Sequence, residues 1–99
     1  MRLSDNARSV ILEEVRALFG PGATVSLFGS RTDDGARGGD IDLLLQTERV
    51  IPERRRKSLQ LAARLQLRLG DQPIDIVLVD PETPIGAIQA SAIRNGQKL

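Results

Sequence analysis

Gly29-Ser30, a spacer that begins at Arg31, and then Asp40-Ile41-Asp42-Leu43-Leu44-Leu45 form the stretch on which the fold turns. Ahead of it, Val25 and Leu27 alternate with Thr24 and Ser26, which predicts a strand over Ala23 to Phe28 that ends in a small-residue turn. Behind it, Ile41 to Gln46 reads as a second strand. Side chains alternate along a strand, so Asp40 and Asp42 share one face while Ile41 points the other way, into a core. Two carboxylates on one face, roughly 5–7 Å apart, repel each other unless water or a cation lies between them. An isolated pair of this kind also fits a solvated strand face. Here Asp75 recurs inside a third β-branched run, Ile74-Asp75-Ile76-Val77-Leu78-Val79. Asp is depleted in strands, and residues that break local propensity concentrate at functional sites.

Working outward, Ser4 or Asp5 can cap a helix that carries Ala7, Val10, Ile11, Val15 and Leu18 on one side and stops at Gly20-Pro21-Gly22. The spacer from Arg31 to Gly39 is charged or small and reads as a loop. Pro52 fits the first turn of a further helix, which runs through the basic residues Arg54 to Lys57 toward Leu69 and ends at Gly70. Its apolar residues Leu59, Leu61, Ala63, Leu65, Leu67 and Leu69 alternate like a strand, yet Leu61, Ala62, Leu65 and Leu69 also form a helical stripe. Leu, Ala, Gln and Arg favour helix, and no β-branched residue intervenes, so helix is the better reading. A last helix runs from Pro84 through Ile85, Ile88, Ala92 and Ile93 to Asn95-Gly96. The order helix, strand, strand, helix, strand, helix predicts one α/β (α+β) domain over residues 1–99, with two helices covering one face of a small sheet.

Composition narrows the chemistry. The 99 residues contain no Cys and no His, so thiolate and imidazole ligands are excluded and any metal must sit on oxygen, which suits Mg²⁺ or Mn²⁺. A formal net charge of +1 and only two aromatic residues, Phe19 and Phe28, argue against a nucleic-acid partner. No apolar run reaches the roughly 20 residues of a membrane span, and no leader pattern opens the sequence, which points to the cytoplasm. Three carboxylates on neighbouring strands have the capacity for two Mg²⁺ ions and so for phosphoryl chemistry. Gly29 would let a phosphate approach the backbone, Ser30 would donate to it, and Arg31 or Arg37 would pair with its oxygens. Arg31 and Arg37 also fit solvated loop charges, as do Asp33 and Asp34, while Asp80 before Pro81 reads as a turn residue. The run Arg54 to Lys57 spreads around its helix and reads as solvated, although cations are disfavoured at a helix amino terminus and an acidic partner surface would explain them.

In this order and spacing, Gly29-Ser30, Asp40-x-Asp42 and Ile74-Asp75-Ile76 resemble the signature of minimal nucleotidyltransferases in the DNA polymerase β-like superfamily. The closing stretch Ala92 to Leu99 also resembles the way these small proteins end. Gly39 departs from the pattern, since many relatives place Ser before the first Asp. The resemblance implies a palm-like mixed sheet of three to four strands. It also implies transfer of a nucleoside monophosphate, usually AMP from ATP, with Mg²⁺ and release of pyrophosphate. Asp40 and Asp42 would bind metal, Asp75 would bind the catalytic metal and help activate the acceptor, and Gly29 and Ser30, with Arg31, would hold the triphosphate. Larger relatives add an acceptor-binding domain, so the resemblance points to completion by a partner or oligomer. In minimal members that partner is often a HEPN-type ribonuclease toxin, which the nucleotidyltransferase neutralises as antitoxin by adenylylating it. A catalytically silent antitoxin and an aminoglycoside-type small-molecule transferase are the competing readings.

Overall fold

A computed structural model of the chain describes residues 3–29 and 41–99. The elements follow in the order α1 (Asp5–Phe19), β1 (Thr24–Phe28), β2 (Ile41–Gln46), α2 (Arg54–Leu69), β3 (Ile74–Val79), α3 (Ala87–Asn95) and β4 (Gln97–Lys98). Ser4 caps α1 by accepting the Ala7 N–H at 3.1 Å, as its residue type predicts. At the other end of α1 the N–H of Gly20 closes on the Arg16 carbonyl with φ 85°, a conformation for which glycine is suited.

The strands form one mixed sheet in the order β3-β2-β1-β4. Strand β1 runs antiparallel to β2 and β4, whereas β2 and β3 are parallel, as expected for two strands joined by a crossing helix. The alternation of side chains divides the core in two. Ile41, Leu43 and Leu45 point to one face, where they pack with Val10, Ile11 and Val15 of α1 and Leu61 and Leu65 of α2. Leu44 points to the other face and packs with Val79 and with Ala92 of α3, flanked by Phe28 and Val77. The two long helices thus share one face, and the short α3 lies across the opposite one. Strand β4 contributes only two exposed residues and pairs with Ser26 and Leu27.

Helix α2 settles the ambiguous leucine pattern. Leu61 and Leu65 are fully buried, while Leu59 and Leu67 are 63% and 86% exposed. One member of each alternating pair therefore faces the core and the other faces away, which only a helix allows. The helix starts at Arg54 instead of Pro52, because Glu53 adopts a left-handed conformation at φ 54° and the chain before it is held by Asp80. Likewise α3 starts at Ala87 instead of near Pro84, where the Gln89 side chain turns back to accept the Gly86 N–H at 2.9 Å.

Two buried carboxylates tie these elements together. Glu14, in the middle of α1, accepts from Arg64 Nε at 2.5 Å and from Arg68 Nη1 at 2.9 Å, fastening α1 to α2. Those hydrogen bonds, Arg64 first, hold the Glu14 carboxyl below the ordinary range of a glutamate. Asp80, read from the sequence as a turn residue, does more than turn the chain. Its carboxylate accepts from the Ile51 N–H at 3.0 Å, the Glu82 N–H at 2.9 Å and the Thr83 hydroxyl at 3.0 Å. Arg54 reaches the same carboxylate at 3.4 Å and donates to Thr83. Chiefly through the Ile51 N–H, and against the opposing effect of burial, the Asp80 carboxyl is also held below its ordinary range. No described helix is long and apolar enough to cross a membrane.

Candidate active site

The site forms where β1 ends and β2 and β3 begin. Phe28 and Asp42 are paired across the antiparallel ladder, and Asp42 and Asp75 are paired across the parallel one. Three adjacent strands therefore bring Phe28, Asp42 and Asp75 into one row on one face of the sheet. Adjacent strands lie roughly 4.8 Å apart, so the two carboxylates stand side by side. Asp42 is half-buried and Asp75 is exposed. Beneath them the next row on the same face, Leu44 and Val77, belongs to the apolar cluster closed by Ala92. Two anions set on an apolar floor are in a setting that favours a counter-cation.

Gly29 follows β1 directly and is held at φ 77°. A Cβ at this position would collide with the Asp42 carboxylate. The missing side chain has two consequences: the backbone turns left-handed at no steric cost, and the Asp42 carboxylate lies against the Gly29 backbone. Glycine here is thus a demand of both the turn and the site. Beside it, a cavity of about 680 Å³ opens between Phe28 and Gly29 on one side and Ala87, Ile88, Ser91 and Asn95 of α3 on the other. Its wall combines apolar surface with a hydroxyl and an amide, the mixture that small-ligand sites use.

Of the residues singled out from the sequence, Gly29, Asp42 and Asp75 are brought together. Asp40, Ser30 and Arg31, together with Arg37, Asp33, Asp34 and Gly39, lie outside the described residues. Among the described residues no group of three or more carboxylates is gathered within reach of one metal ion. The pair Asp42 and Asp75 supplies oxygen donors only, which fits a hard divalent cation and no softer metal. The basic run is divided by the fold: Arg54 is engaged by Asp80 and Thr83, Arg56 sits 3.4 Å from Glu53, and Arg55 makes no ion pair among the described residues. Ser91 gave no signal in the sequence, and Asn95 entered it only as a helix end before Gly96, not as a lining residue.

Among curated proteins none matches the chain. Solved structures do. A chain from the complex of tri-AMPylated Shewanella oneidensis HEPN toxin with MNT antitoxin is 20% identical, with 97% of this chain and 71% of that one covered and a TM-score of 0.67. A chain from a toxin–antitoxin complex with AMP-PNP is 21% identical, with 97% and 72% covered and a TM-score of 0.68. A chain of the MntA–HepT toxin–antitoxin complex is 19% identical, with 96% and 70% covered and a TM-score of 0.64. At these identities the likeness is one of fold, and it agrees with the palm-like mixed sheet. The model of the nucleotidyltransferase domain family matches residues 8–98, a span that runs from within α1 to the end of β4. The carboxylate pair on adjacent strands, the glycine turn against it and this match lead to one conclusion: the chain belongs to the nucleotidyltransferase domain family.

Proposed function

We propose that this nucleotidyltransferase transfers AMP from ATP to a hydroxyl group on a HEPN-type protein partner, and that it acts in the cytoplasm as the antitoxin of such a pair. The observation that carries this reading is the register of Asp42 against Asp75, one strand away from the Gly29 turn. The AMPylated HEPN toxin and the AMP-PNP complex among the fold relatives support the choice of nucleotide and acceptor.

In the reaction, the acceptor oxygen attacks the α-phosphorus of ATP, a new P–O bond forms, and the bond from the α-phosphorus to the α–β bridging oxygen breaks. Pyrophosphate leaves with the bonding pair, and the proton of the hydroxyl passes to the carboxylate of Asp75. Gly29 lets the triphosphate approach the backbone, while Ser30 and Arg31 donate to its oxygens. Phe28, Ile88, Ser91 and Asn95 border the space left for the nucleoside. Asp40, Asp42 and Asp75 would hold a pair of Mg²⁺ ions. When bound, such ions neutralise charge on the transferring phosphoryl group and make the acceptor hydroxyl more acidic.

The test uses ATP labelled at the α-phosphate, Mg²⁺ and the protein product of the neighbouring gene. Label should appear on that protein with the parent and be lost with Asp42→Asn. If Asp42→Asn still neutralises the partner and the parent transfers no label, the chain is a silent binding antitoxin. Label on an aminoglycoside in place of the protein would assign a small-molecule transferase.

A further inference from the structure

Strand β3, which carries Asp75, is the outer strand on its side of the sheet. Its ladder to β2 is bracketed by the Ile41 N–H donating to the Pro73 carbonyl at 2.9 Å and the Thr47 N–H donating to the Val79 carbonyl at 3.0 Å. A parallel ladder with those two ends turns the N–H and C=O groups of Asp75, Val77 and Val79 toward β2. The backbone groups of Ile74, Ile76 and Leu78 therefore point outward, along an edge with which no described strand pairs. Such a row is a template for an added strand.

The surroundings of this edge define what it would take. A groove of about 390 Å³ separates it from α2, with Leu59 and Ala62 on the helix side and Ile76 and Leu78 on the strand side. Arg55 and Leu59 line both this groove and a larger cavity of about 820 Å³ beyond it. Arg54 and Arg56 have carboxylate partners, and of the two remaining cations of the run Arg55, not Lys57, lines the groove where an incoming anion would arrive. Its position in the first turn of α2 is electrostatically costly without one.

We propose that the acceptor protein docks on this edge: an extended segment of it adds to β3 as an antiparallel strand, with its hydroxyl-bearing residue opposite Asp75. The inference rests on the transfer reading given above. Because Ile74 and Ile76 offer the hydrogen-bonding positions, the residue opposite Asp75 occupies a non-hydrogen-bonded pair, where Cα atoms come within about 4.5 Å and side chains lie closest. That residue shares the Asp75 face, so its hydroxyl arrives beside the carboxylates. Its two neighbours alternate to the opposite face and enter the groove toward Leu59 and Ala62, which calls for apolar residues there. An acidic residue at the end of the segment meets Arg55. Edge pairing of this kind orients the acceptor through its backbone.

Two variants test it, with the parent assayed alongside, using α-labelled ATP and the purified protein product of the neighbouring gene as acceptor. Ile76→Pro removes one outward N–H and leaves the ladder to β2 intact, since proline is tolerated where a strand's N–H faces away from the sheet. Arg55→Glu reverses an exposed charge and disturbs no packed group. Each should raise KM for the acceptor protein tenfold or more, while KM for ATP stays within twofold of the parent. If the parent transfers label and both variants keep the parent's acceptor KM, the acceptor docks elsewhere and the proposal is overturned. If the parent transfers no label at all, the transfer reading falls, and this one with it. A dimer by light scattering that Ile76→Pro converts to monomer would place a second copy on the edge and also overturn the proposal.

Discussion

Asp42 and Asp75 stand directly opposite each other on neighbouring parallel strands, with side chains on the same face of the sheet. Two negative charges held on adjacent strands repel each other, and a bound cation would relieve that repulsion.

Asp75→Asn should therefore leave the metal-free protein as stable as the parent or slightly more stable. Adding Mg²⁺ should raise the Tm of the parent and leave that of the variant in place. Transfer of AMP should fall by roughly a thousandfold or more with Asp42→Asn or Asp75→Asn, read as kcat/KM. A parent whose Tm ignores Mg²⁺ in the millimolar range would argue against the metal assignment.

Gly29 and Gly20 make a matched pair, with φ of 77° and 85°. Alanine at either should cost about 1–3 kcal/mol from the positive-φ backbone alone. Only at Gly29 would the new Cβ strike the Asp42 carboxylate, since nothing lies within 4 Å of the corresponding position at Gly20. Chemical denaturation should show both losses, and the transfer assay should separate the two variants, with Gly29→Ala inactive and Gly20→Ala active.

Leu65 is fully buried and Leu67 is 86% exposed, although they belong to the same alternating run. Leu65→Ala should cost about 2–5 kcal/mol through lost burial and the cavity left behind. Leu67→Ala should stay within about 0.5 kcal/mol. Equal losses in urea unfolding would mean that α2 is rotated from the phase described.

Glu14 is held below the ordinary glutamate range by Arg64 and Arg68, and Asp80 below the aspartate range chiefly by the Ile51 N–H. For a carboxyl depressed on folding, the stabilisation is fully present above its unfolded value, about 4 for these groups, and is lost as pH falls through the lower folded value. The urea midpoint should be level near neutral pH and decline below about pH 4. Glu14→Gln should lower the midpoint at neutral pH and flatten that decline. An unchanged acid limb would show that the ion pair across α1 and α2 contributes nothing.

Much of the architecture could be read from local chemistry, because the signals that mark it are local. Ser4 and Gly20 bracket α1, alternation marks β1, and β-branched residues mark β3. The candidate site was legible for a related reason: Asp42 and Asp75 violate strand propensity, and Gly29 sits at the end of a run that needs a turn. Glu14 and Asp80 were not legible in the same way. A glutamate within a helix and an aspartate before a proline look ordinary until the residues that pair with them, Arg64, Arg68 and Ile51, are brought near from distant parts of the chain.

Side-chain type and near-neighbour spacing were enough to read the type of each long element, the oxygen-only donor set and the candidate site residues Gly29, Asp42 and Asp75. Only the tertiary structure decided that Asp42 opposes Asp75, that Leu61 and Leu65 and not Leu59 and Leu67 face the core, and that β3 lies at the edge. Register, helix phase and strand order follow from which apolar surfaces are buried against each other, and that is a property of the assembled sheet and helices rather than of any one segment.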